Sequence, residues 1–398
     1  MKRAPFLEAR LEREMIPSST PKTALVHHWL VTRRGGEQVL EALLELFPDA
    51  DVFTLVADRE QFPDLCHRNR VHTSFVQRLP AATRLYRFYL PLFPWATERL
   101  DLSGYDRVIS SDAATLKGVR TSPKAEHFCY CYTPMRYVWD GYETYYGASG
   151  PLGRLALSAI RGRLRRWDWS AAQRVTHFVA ISRNVQRRIH DCYGRESGVI
   201  YPPVDTEKFV EAHPSQGRDG FYLHVSQLVS YKRADLIVEA FNQCRQPLVI
   251  IGDGPERRKL ERAAKPNIRF LGSQPRSVVI EAMQRCRAFV FAGEEDFGIV
   301  MAEAQACGTP VIAFGKGGAL EIVTDGVTGI LFGEQTAASL LDALARFRPD
   351  GFDPSTIRAS ALRFRRERFL QEFGGLTNRK AMALGNSELN CQHLAKTS

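Results

Sequence analysis

The chain has 398 residues, 44% hydrophobic and 25% charged, an ordinary balance for about two to three folded domains that excludes disorder along its whole length. Lysine and arginine outnumber aspartate and glutamate by 54 to 44, and the net charge of +10 favours nucleotides, nucleic acid or anionic lipid without choosing among them. The eight cysteines form no CxxC pair and most lie in apolar stretches, which reads as buried thiols in a reducing compartment and excludes a disulfide frame or zinc site.

Residues 1–22 alternate charged and apolar positions and lack the apolar core of a secretory signal. No later window offers about twenty uninterrupted apolar residues. The expectation is a cytoplasmic protein with a flexible N-terminal extension, able to rest on the inner face of the cell membrane.

From Thr23 to His27 an apolar run predicts the first strand, followed by a Gly35-Gly36 loop, a helix over Glu37 to Phe47 and a strand over Asp51 to Val56. Buried-strand candidates follow at Arg107 to Ser110, Glu126 to Tyr130 and His177 to Ile181. These place an N-terminal, acceptor-side Rossmann-like domain over residues 23–210. The polar stretch EAHPSQGRDG between Val210 and Gly220 reads as a linker.

Beyond the linker five strands alternate with helices: Phe221 to Val225, Pro247 to Ile251, Ile268 to Leu271, Ala288 to Ala292 and Pro310 to Ala313. That alternation predicts a second doubly wound domain over 218–350, with a nucleotide cleft at the carboxyl ends of its strands. One long helix, about Ser355 to Phe373, is expected within 351–374 and to pack back on the N-terminal domain, leaving 375–398 as a flexible tail. The fold class is α/β, two Rossmann-like doubly wound domains facing across a cleft.

The segment Gly293-Glu294-Glu295-Asp296-Phe297-Gly298 joins a buried strand to a helix, with Glu295 and Glu303 eight positions apart. A helix beginning near Phe297 puts Glu295 in the elbow and Glu303 about one and a half turns inward, so both carboxylates can face one ligand. The amides of Phe297, Gly298 and Ile299 are free donors at a helix N-terminus, where the dipole favours an anion. An acidic first turn that merely caps its helix is the bland alternative.

Lys232 follows the first strand of this domain and can neutralise a diphosphate at the same rim. The Gly252-Asp253-Gly254 and Gly315-Lys316-Gly317-Gly318 turns follow the second and fifth strands and read as tight turns or a ligand-lined rim. Asp49 and Asp51 have a spacing that suits a divalent ion, but turn chemistry explains them better. His27, His28 and Trp29 end the first strand, where each can face the cleft or pack.

Taken together, E-x7-E, Gly252 to Glu256 (GDGPE), Asn267 to Gly272 (NIRFLG) and Gly308 to Ala313 (GTPVIA) resemble the retaining GT-B glycosyltransferases of family 4. Arg34 to Glu37 (RGGE), Thr133 to Asp140 (TPMRYVWD) and Tyr201 to Asp205 (YPPVD) extend the likeness to the branch of bacterial mannosyltransferases that builds O-antigen and other surface polysaccharides. The resemblance implies transfer of mannose from GDP-mannose, with no metal or cofactor, to a saccharide or polyprenyl-diphosphate-linked acceptor.

It further implies Glu303 on the donor ribose, Glu295 on the transferred hexose and Lys232 at the leaving diphosphate. Gly35 and Gly36 would bring amides to the phosphates, with Gln227, Arg233, Gly252 and Gly254 completing the donor side. Tyr132 would stand at the reacting face, and His28 and Arg136 on the acceptor side. Two positions depart from the pattern: Gln227 replaces an expected arginine, for which Arg233 is the candidate substitute, and Tyr132-Thr133 replaces a His-Thr pair.

Leu85 to Trp95 is rich in aromatics, and Arg154, Arg161, Arg163, Arg165 and Arg166 cluster with Trp167 and Trp169. Both segments read either as an anionic-membrane contact or as a solvated face with core aromatics. The two departures motivate a silent nucleotide-sugar-binding relative as one alternative, and an epimerase on the same scaffold is another. The absence of G-x-G-x-x-G after any strand disfavours a nicotinamide dehydrogenase, and no nucleic-acid-reading module is present.

Overall fold

The computed structural model describes residues 21–32, 35–68, 70–139, 142, 150–210 and 218–378. Most of the N-terminal extension, the centre of the linker and residues 379–398 therefore lie outside the described residues.

Each lobe is built on a parallel sheet. In the N-terminal lobe the strands are β1 (Thr23–Leu30), β2 (Asp51–Ala57), β3 (Val71–Thr73), β4 (Arg107–Asp112), β5 (Glu126–Cys131), β6 (His177–Ala180) and β7 (Ser197–Val199), in spatial order β3-β2-β1-β4-β5-β6-β7. In the C-terminal lobe they are β8 (Tyr222–Val225), β9 (Leu248–Ile251), β10 (Ile268–Gly272), β11 (Ala288–Phe291), β12 (Val311–Phe314) and β13 (Gly329–Phe332), in order β10-β9-β8-β11-β12-β13. The order reverses beside β1 and again beside β8, and these switch points open crevices at the carboxyl ends of the strands.

Central strands are covered on both faces: β4 and β11 are buried along their whole length, and β11 (AFVF) reads as an unbroken apolar run. The strands that sequence periodicity did not reveal, β3, β7 and β13, are short edge strands of three or four residues. A run that short carries too few apolar positions to announce itself.

The single terminal helix expected over Ser355 to Phe373 is instead broken. A helix Pro354–Ala361 runs into a 3-10 turn, Leu362–Phe364, and a second helix occupies 366–378. Arg365 between them is extended and bridges to Val204, whose amide donates to the Phe364 carbonyl at 2.8 Å. The chain crosses between lobes here, and pairing with Val204 outweighs the helix propensity of the arginine-rich sequence.

After the crossing, Phe369 and Phe373 set their rings edgewise on Tyr130, and Arg366 pairs with Glu45. Residues 375–378, expected in the flexible tail, continue this helix; Thr377 is buried and accepts Arg107 at its carbonyl.

The lobes share one apolar core, in which Phe297 of the C-terminal lobe meets Tyr201 and Phe364. Polar contacts reinforce it. The Glu321 carboxylate accepts the amides of Arg183 and Asn184 at 2.9 Å each, and so caps the helix Arg183–Tyr193 from the opposite lobe.

Candidate active site

The elbow after β11 is shaped by packing against its neighbours. Gly298 has φ +94°, a conformation that side chains rarely adopt, and a Cβ there would lie 2.2 Å from the Met301 side chain. Gly298 precedes the helix Ile299–Ala306, whose opening amides have no intrahelical acceptor. Phe297 turns its ring into the core, so only its backbone is available at the elbow.

The Gly317-Gly318 turn, read from sequence as a tight turn or a ligand rim, braces the elbow from behind. A Cβ on Gly318 would sit 2.1 Å from the Phe297 carbonyl oxygen, and the Gly318 amide donates to the Glu295 carbonyl at 2.8 Å. From the other side Gly293 packs on the backbone of Lys232, in the 3-10 turn Ser230–Lys232 that follows β8. This approach lets the Lys232 ammonium donate to the Glu295 carboxylate, both side chains being about four-fifths buried.

Lys232 and Glu295 line a cavity of about 630 Å³ together with Gln227, Gly252, Gly298 and Ile299. Glu303 lines an adjoining cavity of about 810 Å³ with Gln38, Gln274, Arg276 and Arg366. The two share Gln274 and Val279, so a ligand touching both glutamates must cross that seam. Burial pushes the Glu303 carboxyl up to about 7 against the pull of the Arg276 guanidinium, which donates to it at 2.8 Å.

Several expected donor contacts lie elsewhere. Arg233 adopts a left-handed backbone (φ +55°) that turns its guanidinium onto Asp235 and Gln335, beside a separate small cavity. The guanidinium thus lies away from the cavity that Gln227 lines. Gly254 packs on the Leu228 backbone, where a Cβ would lie 2.3 Å from the carbonyl oxygen, which makes it a turn glycine. Gly252, by contrast, has φ +136° and lines the cavity itself.

On the N-terminal side the helix Gly35–Leu46 points its amino end at the elbow: a Cβ on Gly35 would come within 3.6 Å of the Ile299 side chain. Gly36 lies against His27 and Tyr132. The Tyr132 hydroxyl is held by Ser111 and Gly36, and burial pushes it well above the ordinary phenol value, so it stays protonated.

His28 is buried against the Ser111 carbonyl at 3.0 Å, and burial, then His27, lowers it to about 4, so it is neutral at pH 7. Trp29 packs on Tyr86 and Phe93. Arg136, expected at the acceptor, reaches across the cleft to Asp296 at 3.0 Å, and Arg188 donates to the same carboxylate oxygen. Asp51 accepts the Tyr105 hydroxyl at 2.5 Å, and no group of three metal-ligating side chains occurs among the described residues.

Sequence reasoning missed Arg276, Asp296 and Ser111. Arg276 carried a signal, as a cation just past β10 at the carboxyl end of the sheet; Asp296 carried none beyond its place in the elbow segment, and Ser111 lay one residue past the strand expected over Arg107 to Ser110.

Residues 205–360 match the family model described as Glycosyl transferases group 1. An uncharacterized glycosyltransferase of Methanocaldococcus jannaschii is 30% identical over 158 residues, 38% of this chain and 44% of that protein. A D-inositol 3-phosphate glycosyltransferase of Frankia alni is 29% identical over 203 residues, covering 43% and 50%. The chain thus spans about half the length of the curated relatives it matches. Among solved structures, Anabaena HepE in complex with UDP and glucose superposes with a TM-score of 0.65 at 18% identity, over 90% of this chain and 100% of that one. The apo lipopolysaccharide outer core galactosyltransferase WaaB gives 0.62 at 17%, over 90% and 99%. The match to the group 1 glycosyl transferase model thus falls on the C-terminal lobe, and the solved structures share the two-lobed GT-B fold.

Proposed function

We propose that the protein is a retaining glycosyltransferase that moves a hexose from a nucleotide diphosphate donor to an acceptor hydroxyl attacking from the leaving-group side. The observation that carries this reading is the elbow: free helix amides, the Lys232 ammonium and the Glu295 carboxylate line one cavity, with Glu303 in the next. Amides and ammonium suit a departing diphosphate, Glu295 suits the hexose, and Glu303 suits ribose hydroxyls. No metal or cofactor enters the scheme.

The motif resemblance favours mannose from GDP-mannose, whereas the Anabaena neighbour was solved with UDP and glucose. Incubation with a panel of nucleotide sugars, scored by thermal shift and by release of nucleoside diphosphate, tests both parts. A Glu295-dependent release supports transfer; binding without release supports the silent relative, which the outward turn of Arg233 favours. A product still attached to nucleotide would point to an epimerase.

For the acceptor the reading is a saccharide or polyprenyl-diphosphate-linked chain of surface polysaccharide synthesis, met by a cytoplasmic protein at an anionic membrane. Phe88, Trp95 and Trp169 are exposed at 79%, 50% and 51%, with Arg99 stacked on Trp95. Other parts of those segments are occupied internally: Trp167 donates to Glu98, and Arg165 covers Trp139. No helix among the described residues is long and apolar enough to cross a membrane. Sedimentation with anionic liposomes at low salt checks the surface, and absence of binding removes it.

A further inference from the structure

A run of three hydrogen bonds begins on the first turn of the helix Gly35–Leu46 and ends at His27 beside it. The Gly36 carbonyl can only accept, so the Tyr132 hydroxyl donates to it, at 3.2 Å. With that proton committed, the contact of 2.7 Å between Tyr132 and Ser111 has Ser111 as donor. Ser111 Oγ in turn accepts from His27 Nδ1 at 3.1 Å, which assigns a proton to that nitrogen. The other ring nitrogen, Nε2, faces the Glu37 carboxylate at 3.5 Å, one residue beyond Gly36. One carbonyl therefore sets the direction of every link.

His27 and Ser111 are fully buried, so water does not compete for these bonds. The run ties together β1, β4 and the segment after β5, and it holds the helix end at the Gly36 carbonyl. A Cβ on Gly36 would lie 3.4 Å from the His27 ring and 3.7 Å from the Tyr132 hydroxyl, so the fit is close. Gly35, on the cleft side, is left facing Ile299.

We infer that His27, Ser111 and Tyr132 are positioning residues that hold the amino end of the helix Gly35–Leu46 opposite the elbow, where its amides meet a diphosphate. The inference rests on the donor reading above and assigns Tyr132 a role through the glycine turn in place of direct chemistry. The bonds act as one unit, so breaking any link releases the same helix end.

The test measures binding of inorganic pyrophosphate and of the bare nucleosides guanosine and uridine to the full chain by calorimetry. Tyr132→Phe and Ser111→Ala should each weaken pyrophosphate by about tenfold, and the double variant should lose no more than either. Ser111→Thr, which keeps the hydroxyl, should stay within about twofold of the parent. Nucleoside binding should not change, a distinction that general loosening of the lobe would erase. Unchanged pyrophosphate affinity, or losses that add in the double variant, would overturn the assignment, as would a parent protein that binds no pyrophosphate. A parent that binds pyrophosphate with this Ser111 dependence yet turns over no nucleotide sugar upholds the positioning residues and discards the transferase reading.

Discussion

Lys232 donates its ammonium to the Glu295 carboxylate across the mouth of the elbow, so the two groups suited to the leaving diphosphate and to the hexose hold each other. On the proposed transferase reading a donor separates them, its phosphate taking the lysine and a sugar hydroxyl taking the glutamate. Lys232→Ala is expected to lower turnover by about 100- to 1000-fold, the scale of losing one preorganised charge at a developing anion. Steady-state kinetics on the donor found in the nucleotide-sugar panel checks it, and a fall of less than about threefold would remove Lys232 from the chemistry.

Glu303 carries a pH signature. Its carboxyl lies at about 7 in the folded protein, so it ionises across the neutral range, and the ionised form is the acceptor-only, charged partner that binds hydroxyl donors more strongly. Nucleoside diphosphate affinity should rise as the pH passes from about 6 to 8, and Glu303→Gln should flatten that rise. Calorimetry at several pH values decides between a flat and a sloped profile in the parent.

Acid should unfold the protein through its buried imidazoles. His28, His127 and His224 are each lowered to about 4, in every case mainly by burial. Their unfolded values lie near 6.5, so below that pH the unfolded chain binds more protons and stability falls as the pH drops toward 4. Each group contributes up to about 3 kcal/mol to that loss. Glu303, with a raised value, works in the opposite sense and recovers part of it between about 7 and 4.5. Urea midpoints at pH 7, 6 and 5 should decline, and a midpoint that holds steady would count against the buried neutral imidazoles.

Behind the N-terminal cleft, Lys117 is buried between Asp112 at 3.1 Å and Asp168 at 2.7 Å, and Asp168 also accepts Trp139 and Tyr193. Lys117→Met leaves two carboxylates without their cation and should destabilise the fold by about 3–5 kcal/mol. Adding Asp168→Asn should restore part of the loss, since one buried charge is removed. Chemical denaturation of the single and double variants measures both effects.

Between the lobes, Asp296 joins Arg136 and Arg188. Asp296→Ala sets two guanidiniums side by side and should lower stability by about 1–3 kcal/mol, less than for a fully buried pair because these side chains keep some solvent contact. Differential scanning calorimetry would show the shift.

Much of the architecture was legible in the chain itself. Central strands such as Leu248–Ile251 and Ala288–Phe291 betray themselves as apolar runs because both faces of a parallel sheet are covered, and Gly298 marked the elbow because few other residues tolerate its backbone. The short edge strands Val71–Thr73, Ser197–Val199 and Gly329–Phe332 stayed hidden, because partners across the sheet, rather than their own composition, hold them.

Direction was the harder question. Arg233 and Arg136 are both cations beside candidate motifs, yet one turns to Asp235 and the other crosses to Asp296. The broken terminal helix teaches the same point, since Arg365 leaves helical geometry only because Val204 offers a bridge. Periodicity, glycine placement and the paired acids were determined by sequence alone, because they express local backbone limits and burial. Which side chain meets which was decided by tertiary structure, because a long charged side chain takes the partner that the folded lobes bring within reach.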